Sequence, residues 1–174
     1  GWQLKHYQEV QMKLNEMNIV ITGANGIMAT VLMDYFSNRA AFVVGTVRRL
    51  SKGVDNKNNF AIIEMDPLDH YSIDNTIDWI NNEAGDIHAW MNIIGGFIMG
   101  NHVEEGRDDW NYMYNTNFMT TLNCCQRILP KMKQIGWGRI INIGAQSAMK
   151  GMPLAGPYCA SKIAVHSLTK IIAL

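Results

Sequence analysis

Asn18-Ile19-Val20-Ile21-Thr22-Gly23-Ala24-Asn25-Gly26-Ile27-Met28-Ala29 is the stretch on which the fold turns. Residues 18 to 22 are a compact apolar run closed by glycine, which reads as a buried strand. Gly23 and Gly26 then punctuate a tight turn, and a helical pattern follows with Ile27, Val31, Leu32, Tyr35 and Phe36 expected on its buried side. A glycine-rich turn between a strand and a helix lets backbone N–H groups approach a phosphate, and the positive end of the helix favours negative charge there. Two glycines in a turn do not by themselves make such a site, because many tight turns bind nothing.

The pattern repeats along the chain. Phe42 to Val47 is a second strand, followed by Arg48 and Arg49. Ser51 to Asn59 is polar and reads as loop, with room for a short helix. Phe60 to Met65 is a third strand, closed by Asp66-Pro67. Tyr71 to Asn82 is a helix with Ile73, Ile77 and Ile80 as its apolar stripe. Ile87 to Ile94 is a fourth strand, ended by Gly95-Gly96. Residues 97 to 108 read as a long loop. Asp109 to Leu129 reads as a long helix stopped by Pro130. Arg139 to Ile143 is a fifth strand, Gly144 to Gly156 a second irregular loop, and a helix closes the chain. Strands that alternate with helices imply an α/β, Rossmann-type doubly wound parallel sheet with right-handed crossovers.

Composition fits one such domain. The chain has 174 residues, 48% hydrophobic and 17% charged, with fifteen basic residues balancing fifteen acidic ones. Nothing in that balance points to nucleic acid or to an anionic membrane. Cys124, Cys125 and Cys159 have neither metal-ligand nor disulfide-framework spacing, so reduced, buried cysteines and a cytoplasmic location are expected. No metal is expected. Residues 1 to 13 read as an N-terminal extension or leader, with a weak helical pattern over residues 1 to 16, and residues 14 to 174 as the domain. The ends, Gly1 and Leu174, read as cut.

Chemistry-bearing residues gather at the carboxyl ends of the strands, where open α/β sheets bind ligands. Gly23, Asn25, Gly26 and Ile27 form the first turn. An arginine after the second strand suits a ribose 2′-phosphate and an acid there would suit a 2′-hydroxyl. Arg48 therefore favours the phosphorylated cofactor, although two arginines at a strand end are often only solvated. Asp66 and Asn92 end the third and fourth strands. In the closing helix, Tyr158 and Lys162 stand four apart and share a face. A fixed ammonium stabilises phenolate, so the pair is a candidate proton donor or acceptor. A helical tyrosine and lysine at that spacing are also commonly mere neighbours.

The order of these motifs resembles the short-chain dehydrogenase/reductase family over about residues 14 to 174. Thr22-Gly23-Ala24-Asn25-Gly26 resembles the family's glycine turn, and Asn92-Ile93-Ile94-Gly95 its Asn-Asn-Ala-Gly. Trp110 with Asn117 seven residues on, Gly138 to Ile143, and Tyr158-Cys159-Ala160-Ser161-Lys162 resemble the later motifs. The resemblance implies strand order 3-2-1-4-5, with the family's later strands lying beyond Leu174. It implies NADP(H), with NAD the less favoured cofactor, bound by Gly23, Asn25, Gly26, Ile27, Arg48, Asp66, Asn92, Gly95, Tyr158 and Lys162. Catalytic roles fall to three residues. Tyr158 exchanges the proton while hydride moves, Lys162 lowers the Tyr158 pKa and holds the nicotinamide ribose, and Asn117 holds a relay water. The substrate would be a small carbonyl, alcohol or activated C=N compound, and the whole protein a homodimer or homotetramer. A non-catalytic nucleotide-binding regulator or scaffold of the same fold is the alternative.

This chain departs from the family pattern at identifiable places. Ala145 stands where the family's serine is usual, with Ser147 two residues on. Gly-Ala at that place is similar to the dihydropteridine reductase-like branch. The glycine turn is short, and Met28 or Ala29 stands where a third glycine is usual. His88 and His166 are expected to be structural, and Met99, Met113, Met119 and Met132 to fill gaps in the core or at interfaces.

Overall fold

The computed structural model describes residues 12–50, 55–57, 59–100, 103 and 106–174. Its centre is a six-stranded sheet: β1 (Asn18–Thr22), β2 (Phe42–Val47), β3 (Asp55–Lys57), β4 (Phe60–Glu64), β5 (Ala89–Asn92) and β6 (Arg139–Asn142). The order is β3-β4-β2-β1-β5-β6. The five strands read from the sequence are all parallel and stand in the expected order 3-2-1-4-5. β3 was not foreseen. It pairs antiparallel to β4, with Asp55 opposite Ile62. An Asp-Asn-Lys edge strand carries no apolar alternation, so the stretch reads as loop.

Both faces of the sheet are buried, which is why its strands read as continuous apolar runs. Alternation sends Val20, Val44 and Trp90 to one face, against Ile73, Ile77 and Ile80 of α2 (His70–Ala84) and Ile128 of α4 (Thr120–Ile135). Ile19, Ile21 and Val43 go to the other face, against Ala29 and Met33 of α1 (Ile27–Ser37). Asp69 caps α2 by accepting the Tyr71 N–H, and an Asp74–Arg127 ion pair links α2 to α4.

The expected buried side of α1 needs correction. Ile27, Val31 and Tyr35 are exposed, and the helix packs instead through Ala29 and Met33, with Leu32 and Phe36 half-buried. Small Ala29 draws the helix onto the strands. Gly45 of β2 deepens that approach, since a Cβ there would lie 2.6 Å from Ala24 Cβ and 2.9 Å from Met33 Cε. The close packing that a third turn glycine would serve is met here from the neighbouring strand.

Two loops contain more helix than their sequences suggest. α3 (Arg107–Met113) begins inside the expected 97–108 loop and runs through a π-helical stretch, Tyr114–Met119, directly into α4. Pro130 does not stop α4, which continues to Ile135 and ends at Gly136 with φ 72°. Ile128 and Met132, both buried, hold the helix to the sheet across the lost N–H. α5 (Gln146–Lys150) lies within the expected 144–156 loop, ahead of α6 (Gly156–Ile172). Of the expected N-terminal helix, residues 14–16 form one 3-10 turn, and residues 1–11 lie outside the described ones. Among the described residues, no helix is long and apolar enough to cross a membrane.

Candidate functional site

The site starts at the β1–α1 turn. Gly23 has φ 72°, a left-handed conformation that favours glycine, and a Cβ there would press within 2.9 Å of Ile94. Gly26 is the N-cap of α1 and has no side chain to cap the helix, so the amides of the first turn stay open to a ligand. Gly26 N–H closes the turn on Gly23 O at 2.9 Å, and Ala24 N–H is held by Thr46 O at 2.8 Å. Thr22 Oγ1 accepts the Ile93 N–H at 3.0 Å, which ties the segment after β5 beside the turn.

A cleft of about 460 Å³ lies over these strand ends. Of the expected cofactor residues, Gly23, Asn25, Gly26, Ile27, Arg48 and Gly95 line it. Thr46, Val47, Met65 and Pro67 line it too, without having been expected to bind cofactor, as does Ile93 of the quoted Asn92–Gly95 motif. Asp66 is not in the wall. Its Oδ1 accepts the Leu68 N–H at 2.9 Å, while its neighbours Met65 and Pro67 reach the cleft. Asn92 is not in the wall either. It is 3% exposed, accepts from Trp90 Nε1 at 3.0 Å, and donates to Asn142 Oδ1 at 2.8 Å. From Asn142 the chain of bonds passes to Thr169 Oγ1 of α6 at 3.0 Å, so Asn92 joins β5, β6 and α6.

The remaining candidates form a cluster behind Gly95. Asn117 sits in the π-helical stretch and is fully buried. Its Oδ1 accepts the Gly96 N–H at 2.8 Å, and its Nδ2 donates to Gly96 O at 3.1 Å and Ser161 Oγ at 3.0 Å. Ser161 donates in turn to Tyr158 O at 2.8 Å. Lys162 is 5% exposed and donates from Nζ to Ile143 O at 2.8 Å. A Cβ on Gly95 would stand 3.1 Å from Asn117 Oδ1 and 3.2 Å from Lys162 Nζ. Gly95 thus joins the cleft to the Asn117–Lys162 pair. The Tyr158 ring is half-buried and meets Phe97 edge-on, with centroids 4.8 Å apart.

The electrostatics correct one expectation. Burial pushes the Tyr158 phenol above its ordinary value, and the neighbouring Cys159 adds to the rise. Burial also pulls the Lys162 ammonium below its ordinary value. A cation drawn to a carbonyl and partly desolvated does less for phenolate than the motif spacing suggests.

The flanking groups are mostly structural. Ala145 is the N-cap of α5, and its N–H donates to His166 Nε2 at 3.2 Å. A Cβ on Gly144 would fall 2.6 Å from the same ring. Ser147 is exposed in α5. His88 Nδ1 accepts the Asn18 N–H at 3.0 Å, and burial lowers its pKa against the opposing charge of Asp86. Met113 and Met132 are buried, whereas Met99 is exposed. Ser161 is a bridging residue that the motif reading passed over. A serine three residues after the tyrosine can bond back to its carbonyl, and that spacing was the available signal.

The short chain dehydrogenase profile matches residues 17–174, and the chain belongs to that family of oxidoreductases. It is 30% identical over 156 residues to a 3-ketodihydrosphingosine reductase from Bacteroides thetaiotaomicron, covering 90% of this chain and 57% of that protein. It is 27% identical over 161 residues to a 3-oxoacyl-[acyl-carrier-protein] reductase from Haemophilus influenzae, covering 88% and 65%. A short chain dehydrogenase structure from Bacillus anthracis superposes with a TM-score of 0.84 at 25% identity, covering 92% of this chain and 70% of that one. The chain thus spans 57% and 65% of the lengths of those two curated relatives.

Proposed function

We propose that the protein is an NADP(H)-dependent oxidoreductase. It would transfer a hydride between nicotinamide and a small carbonyl, alcohol or activated C=N compound, with Tyr158 as the acid or base. The observation that carries this reading is Gly95, which lines the cleft on one side and touches the space of Asn117 and Lys162 on the other.

The residues present fit a dinucleotide. The left-handed Gly23 and the uncapped start of α1 can take a pyrophosphate. Arg48, in the wall of the cleft, can pair a 2′-phosphate. When bound, the nicotinamide supplies or accepts the hydride. The protein's part is the proton and the geometry. Tyr158 gives its phenolic proton to the substrate oxygen or nitrogen in reduction and takes it back in oxidation. Lys162 donates to Ile143 O and lies close behind Gly95, from where its ammonium would hold the nicotinamide ribose. Asn117 fixes Gly96 from both backbone atoms, next to the cleft residue Gly95. Ala145 has no donor for the substrate, so an activated C=N or carbonyl suits the site better than an unactivated ketone.

The same proposal includes a cytoplasmic homodimer or homotetramer. Exposed Ile163 and Ile171 on α6 support a partner there.

The test uses the full-length protein and a panel of carbonyl and imine substrates with NADPH. Tyr158→Phe should cut turnover about a hundredfold or more, the scale of a lost positioned acid, and leave NADPH affinity nearly unchanged. Arg48→Ala should weaken NADPH about tenfold, roughly 1.4 kcal/mol, and leave NADH alone. Full turnover in Tyr158→Phe, or equal NADPH and NADH affinities in the parent, would overturn the assignment.

A further inference from the structure

Thr46 sits at the carboxyl end of β2, and its side chain is anomalous. Its backbone is fully used: it pairs with Thr22 of β1 and Ile63 of β4, and its carbonyl accepts the Ala24 N–H. Its hydroxyl is not. Thr46 is 1% exposed, and among the described residues its Oγ1 is the buried side-chain polar atom with no hydrogen-bond partner. A buried hydroxyl left unpaired destabilises the fold, and such groups are few in native proteins. Thr22, its neighbour across the sheet, shows the contrast, because its hydroxyl takes the Ile93 N–H.

Thr46 also lines the cleft. Two residues on, at a strand spacing of about 7 Å, stands Arg48, which is the candidate for the 2′-phosphate. On a nucleotide the 2′-phosphate and the base hang from adjacent ribose carbons. A phosphate on Arg48 therefore leaves the base within reach of Thr46. The surrounding wall suits a flat ring, since Val47, Met65 and Pro67 present apolar surface. Met28 and Met65 are unbranched and can shift to admit a ligand atom. A hydroxyl both donates and accepts, so it can meet either an amino group or a ring nitrogen of a purine.

We propose that the Thr46 hydroxyl is a specificity contact of the cleft, making its missing hydrogen bond to the adenine base of the nucleotide. The inference rests on the reading of the cleft as a dinucleotide site and adds to it the residue that holds the base. It predicts two opposite effects from one substitution. Thr46→Val keeps the branched shape and removes the hydroxyl. The melting temperature of the unliganded full-length protein should stay the same or rise, because an orphan polar group has gone. Affinity for NADPH should fall about tenfold, and affinity for adenosine 2′-monophosphate should fall by the same factor, because that fragment carries the base and the phosphate without nicotinamide. Thr46→Ser keeps a hydroxyl and should bind both within about threefold of the parent, a difference under about 0.7 kcal/mol.

Titration calorimetry and thermal melts on the parent and both variants decide it. Unchanged NADPH affinity in Thr46→Val overturns the inference while leaving the dinucleotide site standing. Loss for NADPH without loss for adenosine 2′-monophosphate overturns the assignment to the base. A lower melting temperature in Thr46→Val with unchanged binding shows that the hydroxyl serves the fold. A parent that binds neither NADPH nor adenosine 2′-monophosphate overturns the cleft reading itself, and this inference with it.

Discussion

Replacing Asn117 with alanine removes one side chain and its hydrogen bonds to Gly96 N–H, Gly96 O and Ser161 Oγ, beside a weak one to Met113 Sδ at 3.7 Å. The Gly96 N–H and C=O lose their partner, and Ser161 loses one of its two. Each bond to a neutral group contributes about 1 kcal/mol net, so the loss is about 3 kcal/mol. The full burial of the residue argues against much rescue by water. For a chain of this size, about 3 kcal/mol lowers the melting temperature by about 6 to 12 °C. A thermal melt followed by circular dichroism reads this directly. The same loss should loosen Gly96 and the first turn of α6, since Ser161 holds Tyr158 O. Combining it with Ser161→Ala should give a coupling of about 1 kcal/mol, because the two side chains share a bond. Asn117→Ala melting within about 2 °C of the parent, or strict additivity with Ser161→Ala, would refute the reasoning.

Three other outcomes are expected. On the proposed function, oxidation of an alcohol would need Tyr158 ionised, and burial holds its pKa above the ordinary 10.0, so oxidation should climb with pH through 8 to 10 without a plateau while reduction does not. A pH–rate profile with a plateau below pH 8 would contradict it. The Cys125 thiol is pushed up to about 11 from 9.0, chiefly by burial, so its folded pKa lies above its unfolded one. The stability it carries is complete below pH 9 and is lost as pH rises toward 11. At about 1.36 kcal/mol per unit the loss is about 2.7 kcal/mol, and denaturant melts of Cys125→Ala should lack it. Gly45→Ala would put a Cβ 2.6 Å from Ala24 Cβ and should cost about 1–3 kcal/mol, measured the same way. An unchanged midpoint would mean that α1 can lift off β2 freely.

Strand identity was legible because both sheet faces are buried, and burial writes itself as apolar runs such as 18–22 and 42–47, whereas the strand order came from the family resemblance. The parts that escaped are those where burial is not the cause. β3 is made by pairing at an edge, and its polar residues carry no pattern. Pro130 breaks a local rule that tertiary packing of Ile128 and Met132 overrides. Ile27, Val31 and Tyr35 have the right chemistry for a core, yet small Ala29 decides which side of α1 meets the sheet. In the site, glycines and Arg48 could be placed by position in the alternation. Asn92 has the right position, but its amide is committed to Asn142 and Trp90. Ser161 reaches Asn117 and Thr46 reaches the cleft wall through contacts made in three dimensions, and only Ser161 leaves a trace in the spacing, three residues after Tyr158.

The π-helical stretch at Tyr114–Met119 changes how α3 and α4 relate as one rod. A regular helix advances about 100° per residue. An i→i+5 turn holds one residue too many, so everything upstream is rotated by about that angle against everything downstream. α4 aims Cys124, Ile128 and Met132 at the sheet, while Met113 of α3 keeps its own buried direction beneath Gly96. An unbroken helix would set Met113 and Cys124, eleven residues apart, on nearly the same side, and the extra residue turns them away from each other. The surplus residue behaves as a phase shifter, and Asn117 lies inside it. Deleting a single residue between 114 and 119 would restore an ordinary rod with better hydrogen bonding. It would also swing Asn117 out from under Gly96, so a better helix would make a worse site.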